Sequence, residues 1–164
     1  MTLQIDIALS LLLLLFVANG GPVMAKWLLG DRLAFPLDGG LRFFDRGPLL
    51  GPSKTVRGLL VGVVAGAAVA PLVNISWRLA AVFALASLVG DALSSFAKRR
   101  LRIPSSGRAV GLDQIPEALL PLWLFREPLG LDVWSVLLLV AAFGVGGTAL
   151  SRVMFRFGLR DRPY

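Results

Sequence analysis

Between residues 3 and 25 the chain carries one ionisable side chain, Asp6, and runs through five consecutive leucines at positions 11–15. At about 1.5 Å of rise per residue, a helix of that length crosses a hydrocarbon layer of about 30 Å. Further apolar runs at about 56–73, 79–97 and 133–154 repeat the pattern. A mean hydropathy of +0.76 with 56% hydrophobic residues is well above what a soluble domain carries. The expected fold is therefore an all-α integral membrane protein, one transmembrane domain over residues 1–164. No Lys or Arg precedes the first run, so the positive leader of a signal peptide is missing and the run reads as a retained helix.

A fifth stretch, 112–125, is short and interrupted by Pro116 and Pro121. Basic residues decide how it is read. If it crosses, all of the seventeen Lys and Arg except Arg78 and Arg126 fall on one side, in segments 26–57, 98–108 and 152–162. If it lies on the surface instead, the basic C-terminal residues face outward, against the positive-inside rule. The expectation is five transmembrane helices at about 3–25, 56–73, 79–97, 112–125 and 133–154, with the N-terminus outside and the C-terminus cytoplasmic. Two longer polar segments, 30–55 and 98–111, then lie at the cytoplasmic face, where function is expected.

The absence of cysteine and histidine removes thiol nucleophiles, zinc ribbons and the usual general base. Chemistry is left to carboxylates, hydroxyls, Lys, Arg and a hard metal ion. The formal charge of +7 suits anionic headgroups; nucleic acid is set aside, because the basic residues are divided among membrane-proximal segments with no soluble domain to present them.

Asp91 lies seven residues before Lys98 near the end of the third run, and an ionisable group at that depth costs a few kcal/mol unless it is partnered. At 100° per residue, Asp91, Ser95, Lys98 and Arg102 fall within about 60° of one another on a helix. Such a stripe suits a phosphate held through a metal ion; a pair between Asp91 and Lys98 or Arg99 is the plain alternative. Asp113 is a second carboxylate at the same boundary, either a metal ligand or the N-cap of the fourth helix. Lys54 and Arg57 open the second helix, where cations oppose the dipole, an arrangement that a bound anion explains. Gly58, Gly62, Gly66 and Ala70 form a ridge of small residues for close packing within the chain or with a second copy in a homodimer. Asn19-Gly20-Gly21-Pro22 is expected to break the first helix, its amide lining a polar cavity or bonding to a neighbouring helix.

Taken together, these residues resemble the CDP-archaeol synthases and, more distantly, the CDP-diacylglycerol synthases. The family pattern of Gly-Asp, a Ser four residues on and Lys-Arg three beyond it is matched by Gly90-Asp91, Ser95 and Lys98-Arg99. Its Ser-Lys-Thr-x-Arg-Gly segment is matched by Ser53, Lys54, Thr55, Arg57 and Gly58, its Leu-Asp-Gln by Leu112-Asp113-Gln114, and its Asn-x-x-Pro-Val by Asn19, Pro22 and Val23. Pro36, Leu37, Asp38 and Gly40 match a Pro-Leu-Asp-x-Gly stretch. The Lys-Asp and Gly-His-Gly-Gly of the diacylglycerol branch are absent, which favours the archaeol branch.

The resemblance implies a transferase of membrane phospholipid biosynthesis. It is a cytidylyltransferase moving CMP from CTP to a lipid phosphate, archaeol-type or phosphatidic acid, with Mg²⁺ and release of pyrophosphate. It implies Asp91 and Asp113 on the metal and Lys98 and Arg99 on the phosphates near it. Lys54 and Arg57 go to the triphosphate or lipid phosphate, and Ser95 to a phosphate oxygen or the metal's water shell. Ser53, Thr55 and Asn19 fall in nucleotide-binding positions, at the cytoplasmic face of the cell membrane. A competing class is a non-enzymatic membrane protein or transporter subunit in which Asp91 carries protons or ions. A CDP-alcohol phosphatidyltransferase would need four spaced aspartates, which are not found.

Overall fold

The computed structural model describes residues 4–159 except 106, 108 and 110; the expectations that fall on Arg108, Arg160 and Arg162 lie outside these. Among the described residues five α-helices occur, as expected: α1 (Ile5–Leu29), α2 (Val56–Val69), α3 (Trp77–Arg100), α4 (Gln114–Leu124) and α5 (Val133–Arg156). A 3-10 turn, Ala70–Val73, extends α2. Four of the helices, with α2 counted through Val73, are long and apolar enough to cross a membrane. α4, with 11 residues, is only about 16 Å long against a hydrocarbon core of about 30 Å.

Local chemistry sets the starts. Thr55 Oγ1 accepts from Gly58 N at 3.0 Å, Ser76 Oγ from Leu79 N at 3.3 Å and Asp132 Oδ1 from Ser135 N at 2.8 Å, capping α2, α3 and α5. α2 runs opposite to α1 and α3, since Gly58 meets Pro22 and Gly62 meets Ala18, while Gly62 meets Leu88 and Gly66 meets Ala84. Leu11, Leu14 and Leu15 of α1 share one core with Ala70, with Ala80 and Phe83 of α3, with Leu122 of α4 and with Val136 of α5. α3 is the central helix: half of its apolar stretch is buried in protein, against 22% for α1, α2 and α5. The apolar core fills one half of the bundle and leaves the other half to polar groups.

Two prolines inside helices shape the packing. α1 continues through Pro22 where a break was expected. Proline removes the N–H that would bond the carbonyl four residues back, and the freed Ala18 carbonyl faces Gly62, where an added Cβ would lie 2.6 Å from it. A glycine Cα–H contact satisfies such an oxygen weakly. Pro121 likewise frees the carbonyl of Glu117, which accepts from Ser87 Oγ at 2.8 Å; that hydroxyl accepts from Asn19 Nδ2 at 2.8 Å. α1, α3 and α4 are thus tied together. The small-residue ridge of α2 is spent within the chain, with Gly62 on Ala18 and Leu88 and Gly66 on Ala84.

Between α1 and α2 the chain folds over the polar half. Asp38 is buried; its Oδ2 accepts from Leu50 N at 2.8 Å and Gly51 N at 3.2 Å, and its Oδ1 from Gly40 N at 3.0 Å. Burial pushes this carboxyl up, but the three N–H donors outweigh it and hold the group below the ordinary aspartate range. The hairpin with the Arg42–Pro48 bridge docks on α3 through Arg100, which pairs with Asp45 at 2.6 Å and lies over the Phe43 and Phe96 rings.

A Cβ at Gly90 would lie 2.1 Å from the Pro116 carbonyl oxygen. Gly90→Ala should therefore push α4 off α3 at a cost of about 1–3 kcal/mol, read as a lower unfolding midpoint in detergent; an unchanged midpoint counts against the contact. Because the folded-state pKa of Asp38 lies below its unfolded value, its contribution is full above the ordinary aspartate range and is lost as pH falls below about 4. Hydrogen exchange at the Leu50 and Gly51 amides, corrected for the intrinsic rate, should show that loss.

Candidate active site

Four helix ends meet at the polar half of the bundle. Arg57, on the first turn of α2, donates from Nη1 to Gly30 O at 3.0 Å and to Arg32 O, so its charge lies at the C-terminal end of α1, where the helix dipole favours a cation. One residue before the Thr55 cap, Lys54 reaches across to α3 and pairs with Asp91 Oδ2. Near the end of α3, Lys98 pairs with Asp113 Oδ1 at 2.6 Å and donates to Gly107 O at 3.3 Å. Asp113 Oδ2 accepts from Ala109 N at 2.9 Å. Arg99 is buried and donates to Pro104 O at 3.0 Å and to Ser95 O at 3.5 Å. Ser105 Oγ donates to Ser53 Oγ at 3.2 Å, joining the α3–α4 connection to the segment that opens α2.

Asp91 is the hub of this set. Its carboxylate pairs with Lys54, and the turn of α4 that carries Glu117 packs against Gly90 beside it. Two ion pairs, Lys54–Asp91 and Lys98–Asp113, are thus assembled from the α1–α2 loop, α3 and the start of α4, with Glu117 next to the first of them.

Among the described residues no three His, Cys, Asp or Glu side chains group together to hold a metal ion. Asp91, Glu117 and Asp113 are the oxygen donors available, and Lys54 and Lys98 are the fixed cations beside them.

The structure brings together Lys54, Asp91, Lys98 and Asp113 as the sequence pattern suggested, with other partners: Asp91 pairs with Lys54 and not with Lys98 or Arg99. Ser95 is buried one turn beyond Asp91. Arg102 leaves the expected stripe, because α3 ends at Arg100 and Arg102 turns into the left-handed region at φ 58°. Asp113 precedes α4, but its side chain makes no cap bond. Thr55 is engaged as the α2 cap, and Asn19 lies in the interhelical tie to Ser87, with its Oδ1 buried and unpartnered. Glu117 escaped the sequence reading. The available signal was an acid four residues after Asp113, one turn on along the same face of an otherwise uncharged helix.

Residues 4–164 match the family model described as CarS-like, CDP-archaeol synthase. A CDP-archaeol synthase of Saccharolobus islandicus (strain L.S.2.15 / Lassen #1) is 37% identical over 123 residues, 70% of each chain. One of Pyrobaculum calidifontis is 32% identical over 154 residues, 91% of this chain and 92% of that one. A solved structure, described as an intramembrane enzyme for archaeal membrane lipids biosynthesis, superposes with a TM-score of 0.75 at 32% identity over 87% of this chain and 91% of the other.

Removing one partner of the Lys54–Asp91 pair leaves a charge facing Glu117 or Lys98. Lys54→Met and Asp91→Asn should each cost about 1–3 kcal/mol for this part-buried pair, and the double variant less than their sum. Unfolding midpoints of the three variants in detergent test the coupling; strict additivity would refute it.

Proposed function

The chain belongs to the CarS-like CDP-archaeol synthase family, cytidylyltransferases of membrane-lipid biosynthesis, and we propose that it transfers CMP from CTP to an archaeol-type lipid phosphate at the inner face of the membrane. The observation that carries this reading is the convergence of the Lys54–Asp91 and Lys98–Asp113 pairs at one end of the bundle.

The nucleophile is a phosphate oxygen of the lipid, already ionised at neutral pH, so the reaction needs no histidine. That oxygen forms a bond to the α-phosphorus of CTP while the bond to the β-phosphate bridging oxygen breaks, and pyrophosphate leaves with the electron pair. The obstacle is the approach of two anions, and fixed cations lower it. Lys54 and Lys98 are held at the site by Asp91 and Asp113, and each can turn an N–H toward phosphate oxygens. Arg57 and Arg99 add positive charge while anchored to backbone carbonyls; Arg99 also positions the 103–109 connection. Mg²⁺, when bound to Asp91 and Asp113 with Glu117 beside them, would neutralise phosphate oxygens that the lysines do not reach. Ser95, buried one turn beyond Asp91, would give its hydroxyl to a phosphate oxygen or to the water around the metal. Ser53, bonded to Ser105, lies on the segment that carries Lys54, Thr55 caps the helix behind it, and Asn19 acts at a distance through its tie to Ser87.

Purified protein with labelled CTP and Mg²⁺ should form CDP-lipid from archaeol phosphate, with phosphatidic acid as the comparison substrate. Asp91→Asn and Asp113→Asn should each lower turnover by about a hundredfold or more. No product from folded wild-type protein with either lipid would overturn the reading, and favour a role in which Asp91 serves transport.

A further inference from the structure

The hairpin between α1 and α2 ends in an apolar tip. Phe43 N donates to Gly47 O at 2.9 Å and Arg46 N to Phe43 O at 2.8 Å, so residues 43–46 close a tight turn, with Arg46 in the left-handed region at φ 62°. Corners of such turns are ordinarily Gly, Asn, Asp, Ser or Pro. Here a corner is Phe44, which is 96% exposed, and Leu41 and Phe43 are exposed on the same hairpin. Apolar side chains scattered singly on a surface need no explanation, but two rings and a leucine together do.

The position of the tip in the fold shows what it faces. Val89, Leu93, Phe96 and Arg100 follow one another at helical spacing on one face of α3. Val89 and Leu93 are exposed, as on a membrane-spanning helix turned to lipid. The Phe43 ring meets Phe96 edge-on at 5.3 Å, Phe44 stands 5.1 Å from Phe43, and Arg100 lies over the Phe43 and Phe96 rings. The aromatic tip therefore prolongs the lipid-facing stripe of α3. Along the helix Phe96 lies about 6 Å to the hydrocarbon side of Arg100, a level at which aromatic rings collect in membrane proteins. The charges agree with this placement. Asp45 is answered by Arg100, while Arg42 and Arg46 are exposed beside the rings. Cations next to shallowly seated aromatic rings complement anionic headgroups.

We propose that this hairpin is an interfacial anchor, with Phe43 and Phe44 seated among the upper acyl carbons of the surrounding leaflet and Arg42 and Arg46 on its anionic headgroups. The lipid here is the surface on which the hairpin rests and not the substrate, so the assignment is independent of the chemistry proposed for the site. It bears on how the site is built, because the same segment carries Lys54. A second copy of the chain stacked on Phe44 would cover the ring but would bring identical arginines together.

The chain has no cysteine, so Phe44→Cys places a single environment-sensitive fluorophore on the full-length protein. Asp31→Cys, exposed earlier in the same segment, is the comparison. In vesicles mixing phosphatidylcholine and phosphatidylglycerol, the label at 44 should be quenched by a lipid with a shallow nitroxide and shielded from aqueous acrylamide; the label at 31 should show the reverse. The ratio of lipid-quenched to water-quenched label should fall about fivefold for each arginine removed in Arg42→Gln and Arg46→Gln. It should fall likewise in vesicles of phosphatidylcholine alone, an arm that keeps both arginines and so stands if a substitution prevents folding. A label at 44 open to acrylamide and untouched by the lipid quencher in mixed vesicles overturns the anchor. A ratio unchanged in phosphatidylcholine alone overturns the assignment to an anionic surface. Shielding from both quenchers, with an oligomer mass that falls on labelling, gives the tip to a second copy and overturns the proposal as well.

Discussion

A carboxylate near the boundary of a hydrocarbon layer must find a cation, and the Lys54–Asp91 pair meets that demand across 37 residues of sequence. The requirement organises the polar half of the molecule. Lys54 can reach α3 only if the segment before α2 lies over the bundle, so the pair and the folded α1–α2 loop imply each other. Arg57 fixes the same segment to the end of α1, Asp38 draws its backbone into a tight turn, and Arg100 clamps its hairpin to α3. The loop is thereby a built wall of the site and contributes a lysine to it.

The helices beneath come close because glycine stands where backbones meet. Gly90 admits the first turn of α4 and Gly62 admits the Ala18 carbonyl that Pro22 has released. Pro121 repeats the device by releasing the Glu117 carbonyl to Ser87. In lipid, where water cannot take up a spare acceptor, each proline both frees an oxygen and obliges a neighbouring helix to approach it. The approach of α4 to α3 also brings Glu117 to Asp91, so packing and site geometry share one cause.

Much of this was legible along the chain. Long apolar runs with one charge each mark the four long helices, and N-capping Thr55 and Ser76 begin α2 and α3 one residue on. Asp91, Lys98, Asp113 and Lys54 stood out because charge near a membrane boundary is expensive. Their pairing was not legible: helical spacing ranks neighbours on one helix, and the partners here come from different ones. Glu117 was hidden by the same bias, since a lone acid on a short proline-containing helix reads as incidental until α3 is laid against it. The expected break at Pro22 failed because a proline's lost bond can be met by a neighbouring helix, which a one-dimensional reading does not see.

Sequence by itself determined that the chain would be helical and membrane-spanning, which residues would be costly in lipid, and where small residues would permit contact, because these follow from local composition and period. Only the tertiary structure decided which cation answers which acid, and that Arg57 would be buried with its guanidinium on the carbonyls that end α1. Those outcomes depend on distances between helices, and such distances are set by packing among segments far apart in the chain.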